Sequence, residues 1–179
     1  MAAILQAKVV FPEPLPPRRR CDSSQTYDLV MVADVEVQAF ESIPEDISVL
    51  LEASQAEGYD FVERLVDDWQ EGSNRFQLPG EVAVAARIRR RLVGVGGLNI
   101  DPYLDDPGVG RIRHVYVSPD VRSGGVGRVL VMALLDHARG RFDRLRLRTV
   151  TPAGAAFYKS LGFEETGDEA NATHQIRLS

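Results

Sequence analysis

The sequence predicts one domain of mixed α/β class, with helices and strands packed over a single sheet. Two observations carry that prediction. Apolar residues recur at helical spacing in some stretches and alternate in others, and the order of these stretches needs hairpins as well as crossovers. The chain has 179 residues, 44% of them apolar and 26% charged, which suits a soluble globular domain with a real core.

Residues 1–26 stand apart. Pro12, Pro14, Pro16 and Pro17 precede Arg18, Arg19 and Arg20. Such a run continues neither a helix nor a central strand, so an extended or disordered arm is expected there, with the folded domain over residues 27–179. Residues 27–40 alternate in part, through Val30, Val32, Val35 and Val37, and contain the first expected strand. Pro44, Glu45 and Asp46 read as a helix start capped by Ser42. Ile47, Leu50, Leu51 and Ser54 share one face of that helix, and Gly58 ends it. Phe61, Val62, Leu65, Val66 and Trp69 give a second amphipathic helix closing near Gly72, with Trp69 expected in the core. Strands are expected over residues 81–88 and 92–100, joined by a turn at Arg89, Arg90 and Arg91. A loop rich in turn formers leads to a strand over residues 109–117. A helix over residues 125–139 follows, then a half-buried strand over 145–149, a short helix over 153–161 and a last pair of strands after Gly162.

Composition excludes several classes. A net charge of −5 gives no general attraction to nucleic acid or to an anionic membrane surface. No apolar run approaches the roughly 20 residues needed to span a bilayer, and the N-terminus does not read as a signal peptide, because its basic cluster follows its apolar stretch. Cys21 is the single cysteine, so no internal disulfide forms and a reducing, cytoplasmic compartment is expected. No metal site is expected. Asp101, Asp105 and Asp106 lack the spacing of a calcium loop, and His137 and His174 have no partners at metal-ligand spacing.

The chemistry is concentrated after the strand over residues 109–117. Ser118-Pro119-Asp120-Val121 leads into Arg122-Ser123-Gly124-Gly125-Val126-Gly127 and then a helix. Glycines allow several backbone N–H groups to turn toward one point, and a helix N-terminus adds unpartnered donors with partial positive charge. A pyrophosphate suits such a place, with Arg122 and Arg128 as further donors. The loop has neither the Lys-Ser/Thr of a P-loop nor the opening G-x-G of a dinucleotide fold.

The segment from Val115-Tyr116-Val117-Ser118-Pro119 through Gly127 resembles the acetyl-CoA signature of the GCN5-related N-acetyltransferase superfamily. A second stretch, Ala155-Ala156-Phe157-Tyr158-Lys159-Ser160-Leu161-Gly162-Phe163, is similar to that family's A-x-x-F-Y-x-x-L-G-F segment and follows at the right distance. The resemblance covers roughly residues 30–178 and implies a mixed, mostly antiparallel central sheet, splayed between its fourth and fifth strands and flanked by helices. It implies direct acetyl transfer from acetyl-CoA, as co-substrate and without metal, to an amine. Cofactor contacts then fall on Val115, Tyr116, Val117, Arg122, Ser123, Gly124, Gly125, Val126, Gly127 and Arg128, and on Thr151, which stands where the family often has Asn.

By the same resemblance Tyr158 is the candidate acid for the leaving thiolate, its pKa expected to be lowered by a helix N-terminus. Relatives often carry Glu or His as a base at positions that are Arg111 and Arg113 here, and alternation along the strand is expected to turn the adjacent His114 to the opposite face. An arginine cannot accept a proton at neutral pH. Ordered water or Asp101 is then the expected route for the proton, and Arg111 and Arg113 are either internally paired or hold an acidic group on the acceptor. Asn74 and Arg75, after the second helix, are further acceptor-side candidates.

The expected partner is a small-molecule amine, with a protein or peptide amine as the alternative within the class. A non-catalytic acetyl-CoA sensor is the alternative outside it. The family implies a homodimer, but the sequence defines no interface.

Overall fold

In the computed structural model seven strands form one sheet in the order β1-β2-β3-β4-β5-β7-β6. The structure describes residues 34–167, 169 and 171–178, so the expected arm, Cys21 and the beginning of the first strand lie outside the described residues. The strands are β1 (Val35–Ala39), β2 (Val82–Ile88), β3 (Arg91–Ile100), β4 (Val109–Val117), β5 (Arg144–Leu147), β6 (Glu164–Glu165) and β7 (His174–Arg177). The helices are α1 (Ser48–Ala56), α2 (Phe61–Glu71), α3 (Val126–Ala138) and α4 (Pro152–Ser160). Every neighbouring pair is antiparallel except β4 and β5, which run parallel.

Each face of the sheet is covered. On one side α3 buries Val126, Leu130, Val131, Leu134, Leu135 and Ala138 against Val84, Ala86, Val93, Leu98 and Ile112, and Tyr158 and Phe163 join this core. On the other side α1 and α2 bury Leu50, Val62, Leu65 and Trp69 against Ala83, Ala85, Leu92, Val95 and Tyr116. The period of two along the strands sends alternate residues to these two cores.

Most expected elements form, with three differences. The first helix starts at Ser48, not at Pro44, and Ile47 occupies its cap position without a side-chain bond. Asp46, expected in the first turn, instead makes a bidentate pair with Arg87 at 2.7 and 2.8 Å. The strand expected over residues 145–149 stops at Leu147, because the next stretch turns to the last strands: Thr173 N–H donates to Leu147 O and Thr149 N–H to Thr173 Oγ1. The third difference is a register shift between β3 and β4, which shapes the site. The β2–β3 turn forms as expected, with Arg89 and Arg90 both at positive φ, the sense that matches strand twist in a two-residue hairpin.

Candidate active site

The sheet opens between β4 and β5. Only three residue pairs join them, Val109↔Arg144, Gly110↔Leu145 and Arg111↔Arg146. β4 then runs on for six residues to Val117, while β5 ends at Leu147. The last part of β4 thus faces a gap on its β5 side. Val115 and Val117 pack their side chains into the α3 core and keep their backbone along this gap. Tyr116 points the other way, into the core under α1 and α2.

Residues 122–127 close the end of the gap. After a short 3-10 turn (Pro119–Val121) the chain kinks twice through the left-handed region, at Ser123 (φ +65°) and Gly125 (φ +85°). Gly125 is the N-cap of α3, and no side chain caps it. The first-turn N–H groups of α3 therefore point out of the helix end toward the loop. Gly127 lies over Phe157 and Val117, so a Cβ there would stand 3.4 Å from the Phe157 ring. Loop, β4 and α4 thus meet at one point. Arg128 is exposed in the first turn of α3, with no partner among the described residues. Uncapped donors, a left-handed kink and an open cation fit an extended ligand with a pyrophosphate.

Arg122 is differently placed. Its guanidinium is held by Glu57, the residue closing α1, through Nη1–Oε1 at 2.5 Å and Nη2–Oε2 at 2.6 Å. Its Nε donates to Val117 O at 3.0 Å, and the group lies over the Tyr116 ring at 5.4 Å. Tyr116 OH donates to the same Glu57 carboxylate at 2.7 Å. The Arg122 hydrogen bonds hold the Glu57 carboxyl below its ordinary pKa, whereas burial, followed by the Glu57 contact, pushes the Tyr116 phenol well up.

Tyr158 lies in the last turn of α4, not at a helix N-terminus. It packs edge-on against Phe157 and Phe163, with ring centroids 5.1 and 5.5 Å away. Burial raises its pKa, so the expected lowering does not occur and the phenol stays protonated throughout the physiological range. Thr151 caps α4, its Oγ1 accepting from Gly154 N at 3.0 Å.

On the acceptor side, the alternation of β4 breaks. Val95 pairs with Tyr116 but Gly97 with Arg113, so β4 carries one residue more than β3 between these pairs. The bulge sits at His114, which has φ +54°. Arg113 and His114 consequently face α2 together, and His114 is not turned to the opposite face. Arg113 Nη2 and His114 Nε2 lie 3.8 and 3.7 Å from the same oxygen of Asp68 on α2. His114 Nδ1 is 2.9 Å from Phe61 O, which can only accept, so Nδ1 carries the proton and Nε2 presents its lone pair. Burial, then the neighbouring Arg113 charge, pushes the His114 pKa down to about 4. The Phe76 ring stands edge-on to His114 at 6.2 Å and lies where a side chain on Gly97 would be.

The other acceptor candidates are tied within the protein. Arg111 is buried, donates to Asn171 O at 2.5 Å, stands 3.5 Å from Asp101 and lies over Tyr103 at 4.7 Å. Asp101 also receives Arg146 at 3.0 Å and is fully buried, so it serves as the shared counter-ion of two arginines. Arg75 Nε donates to Trp69 O, and Asn74 Oδ1 accepts from Phe76 N, both finishing the end of α2. His174 pairs with Leu147, whose side chain is in the α3 core, and so lies away from Arg111 and Arg146.

Two residues central to this geometry, Glu57 and Asp68, carried no local signal in the sequence. Each is one acid among several on an amphipathic helix or its end, and its partner lies 65 or 45 residues away in sequence. Among the described residues no group of three His, Cys, Asp or Glu side chains could hold a metal ion. Nor is any helix there long and apolar enough to cross a membrane.

Comparison with known proteins agrees with this geometry. Residues 47–163 match the acetyltransferase (GNAT) family. The structure is similar to that of a protein from Exiguobacterium sp. 255-15 assigned as an acetyltransferase, with 32% identity, a TM-score of 0.72, and coverage of 80% of this chain and 93% of that one. A Salmonella typhimurium protein solved with its cofactor acetyl-CoA shares the fold at 16% identity and a TM-score of 0.60, over 82% of this chain and 95% of that one. Among curated proteins, the N-alpha-acetyltransferase RimI of Mycobacterium tuberculosis is 33% identical over 107 residues, 56% of this chain and 65% of that protein. The mycothiol acetyltransferase of Rhodococcus jostii is 26% identical over 135 residues, 69% of this chain but 43% of its own length. The glycine loop, the parted strands and a family match over most of the described residues lead to one assignment: the chain belongs to the acetyltransferase (GNAT) family.

Proposed function

We propose that the protein transfers an acetyl group from acetyl-coenzyme A directly to a primary amine of a small-molecule acceptor. One observation carries the reading: the gap between β4 and β5 ends at a left-handed loop and an uncapped helix. That combination suits a long ligand whose middle pairs with strand backbone and whose pyrophosphate meets the N-terminus of α3. Acetyl-coenzyme A, when bound, supplies the activated acyl group. The backbone of Val115 and Val117 lines its path, and residues 122–128 receive the pyrophosphate, Arg122 once it is free of Glu57. Holding acceptor and thioester together supplies much of the rate.

Tyr158 is the proton donor in this reading, held by α4 beside Phe157, whose ring meets Gly127 of the loop. The amine proton leaves through ordered water, because Asp101 is the buried counter-ion of two arginines and His114, its pKa pushed down to about 4, does not take it. Of Arg111 and Arg113, an acidic group on the acceptor would meet Arg113, since Arg111 is tied to Asp101 and Asn171. Cys21, the lone cysteine, is consistent with a cytoplasmic enzyme.

A peptide N-terminus is the second reading, favoured by the likeness to RimI. A thiol-release assay with acetyl-coenzyme A across amino acids, polyamines, aminoglycosides and short peptides tests both. Turnover on a free amine supports the small-molecule reading, and turnover confined to peptides replaces it with the second. Coenzyme A binding without turnover on any amine overturns both in favour of a sensor.

A further inference from the structure

We propose that Glu57 is a built-in competitor for Arg122, and that the cofactor must open this clasp, releasing the turn between α1 and α2. The inference rests on the proposed cofactor site. Arg122 is the first residue of the loop, yet its fork is already filled by a carboxylate in bidentate fashion. A carboxylate and a phosphate present the same planar pair of acceptors to a guanidinium, so the two compete for one fork. The third guanidinium nitrogen, Nε, sits on Val117 O, on the strand whose backbone would line the cofactor path. In this position Arg122 covers part of that path instead of contributing to it.

The energetics favour a latch over a strut. The Arg122 and Glu57 side chains are 41% and 28% exposed, so solvent and an incoming anion can reach both partners and screen the pair. Glu57 also closes α1, where the helix dipole disfavours a negative charge, so its position depends on a cation and a donor brought from elsewhere. After Arg122 leaves, Glu57 keeps the Tyr116 hydroxyl. The clasp bridges the two halves of the site. One end is the loop before α3, and the other is the turn that leads into α2, which carries Asp68. Opening it on the cofactor side therefore alters the acceptor side, and the coupling is reciprocal.

The test is direct binding of coenzyme A by isothermal titration to the wild type and to Glu57→Gln, with amide hydrogen exchange over residues 54–61 of the wild type. The expected results are a Kd lowered about three- to tenfold by Glu57→Gln and faster exchange over residues 54–61 when coenzyme A is added to the wild type. An unchanged or raised Kd, or exchange that coenzyme A leaves unchanged or slows, overturns the clasp. If Glu57→Gln does not fold, the wild-type exchange decides alone. A wild type that binds no coenzyme A defeats the cofactor reading and the clasp together, whereas binding with no effect of Glu57 defeats the clasp only.

Discussion

The two ends of β4 build their chemistry from different materials. At its C-terminal end the work falls to backbone: left-handed Ser123 and Gly125, an uncapped α3, and a strand edge left open by β5. At the other end it falls to side chains whose direction depends on one bulge, at His114, and on counter-ions from α2 and the loop after β3. A backbone site needs only the right glycines in the right order. A side-chain site needs register, and register is a property of two strands at once.

That contrast can be tested from both ends. The largest expected effect is on stability, at the end built from side chains. Asp101→Asn leaves Arg111 facing a neutral amide in a buried setting, while Arg146 keeps Glu169 at 2.8 Å, and should cost about 3 kcal/mol, read as the urea midpoint. A change under 1 kcal/mol would show that these arginines do not depend on Asp101. Tyr158→Phe should lower kcat about a hundredfold with little change in the KM for acetyl-coenzyme A. A kcat within threefold of wild type would remove Tyr158 from the reaction.

The buried His114 gives a pH signature. Its folded pKa, about 4, lies below the ordinary 6.5, so between these values the unfolded chain binds a proton that the folded chain refuses. Stability from this group is therefore complete above about pH 6.5 and is lost as pH falls toward 4, by roughly 3 kcal/mol. His137, also lowered by burial, acts in the same direction, so the comparison is between wild type and His114→Gln. Denaturation at pH 7 and pH 4.5 should show a smaller acid loss in the variant; an equal loss assigns the effect elsewhere.

At the backbone end, Gly125→Val forces a β-branched residue to φ +85° and should raise the KM for acetyl-coenzyme A at least about tenfold while the chain stays folded. A KM near that of the wild type would mean that the loop's conformation is not what the cofactor reads. The smallest effect is expected from Arg113→Ala. The guanidinium is 3.8 Å from Asp68 and about a quarter exposed, so the acceptor KM should move less than about threefold. A tenfold rise would restore the acidic acceptor that Arg111 and Arg113 first suggested.

The same contrast explains what could be read from the sequence. Gly124, Gly125 and Gly127, with the Phe157-Tyr158 segment, marked the loop and the helix beside it, because local conformation is encoded locally. The apolar periodicity placed α2 and α3 within a residue or two. The start of α1 was misplaced because Asp46 is drawn to Arg87, 41 residues away, and not to a helix end. The direction of His114 was misjudged because alternation assumes an unbroken strand, and nothing in Arg111-Ile112-Arg113-His114-Val115 announces a bulge. The rise in the Tyr158 pKa follows from its place between Phe157 and Phe163, a packing that sequence position alone does not give.

The central claim is that the loop before α3 holds the pyrophosphate of coenzyme A. Its most direct test is calorimetric binding of coenzyme A and of pantetheine, which lacks the pyrophosphate, to the wild type and to Gly125→Val. Coenzyme A should bind the wild type at least about tenfold more tightly than pantetheine, and Gly125→Val should erase most of that difference. Equal binding of the two ligands by the wild type, or a difference untouched by Gly125→Val, would contradict the claim.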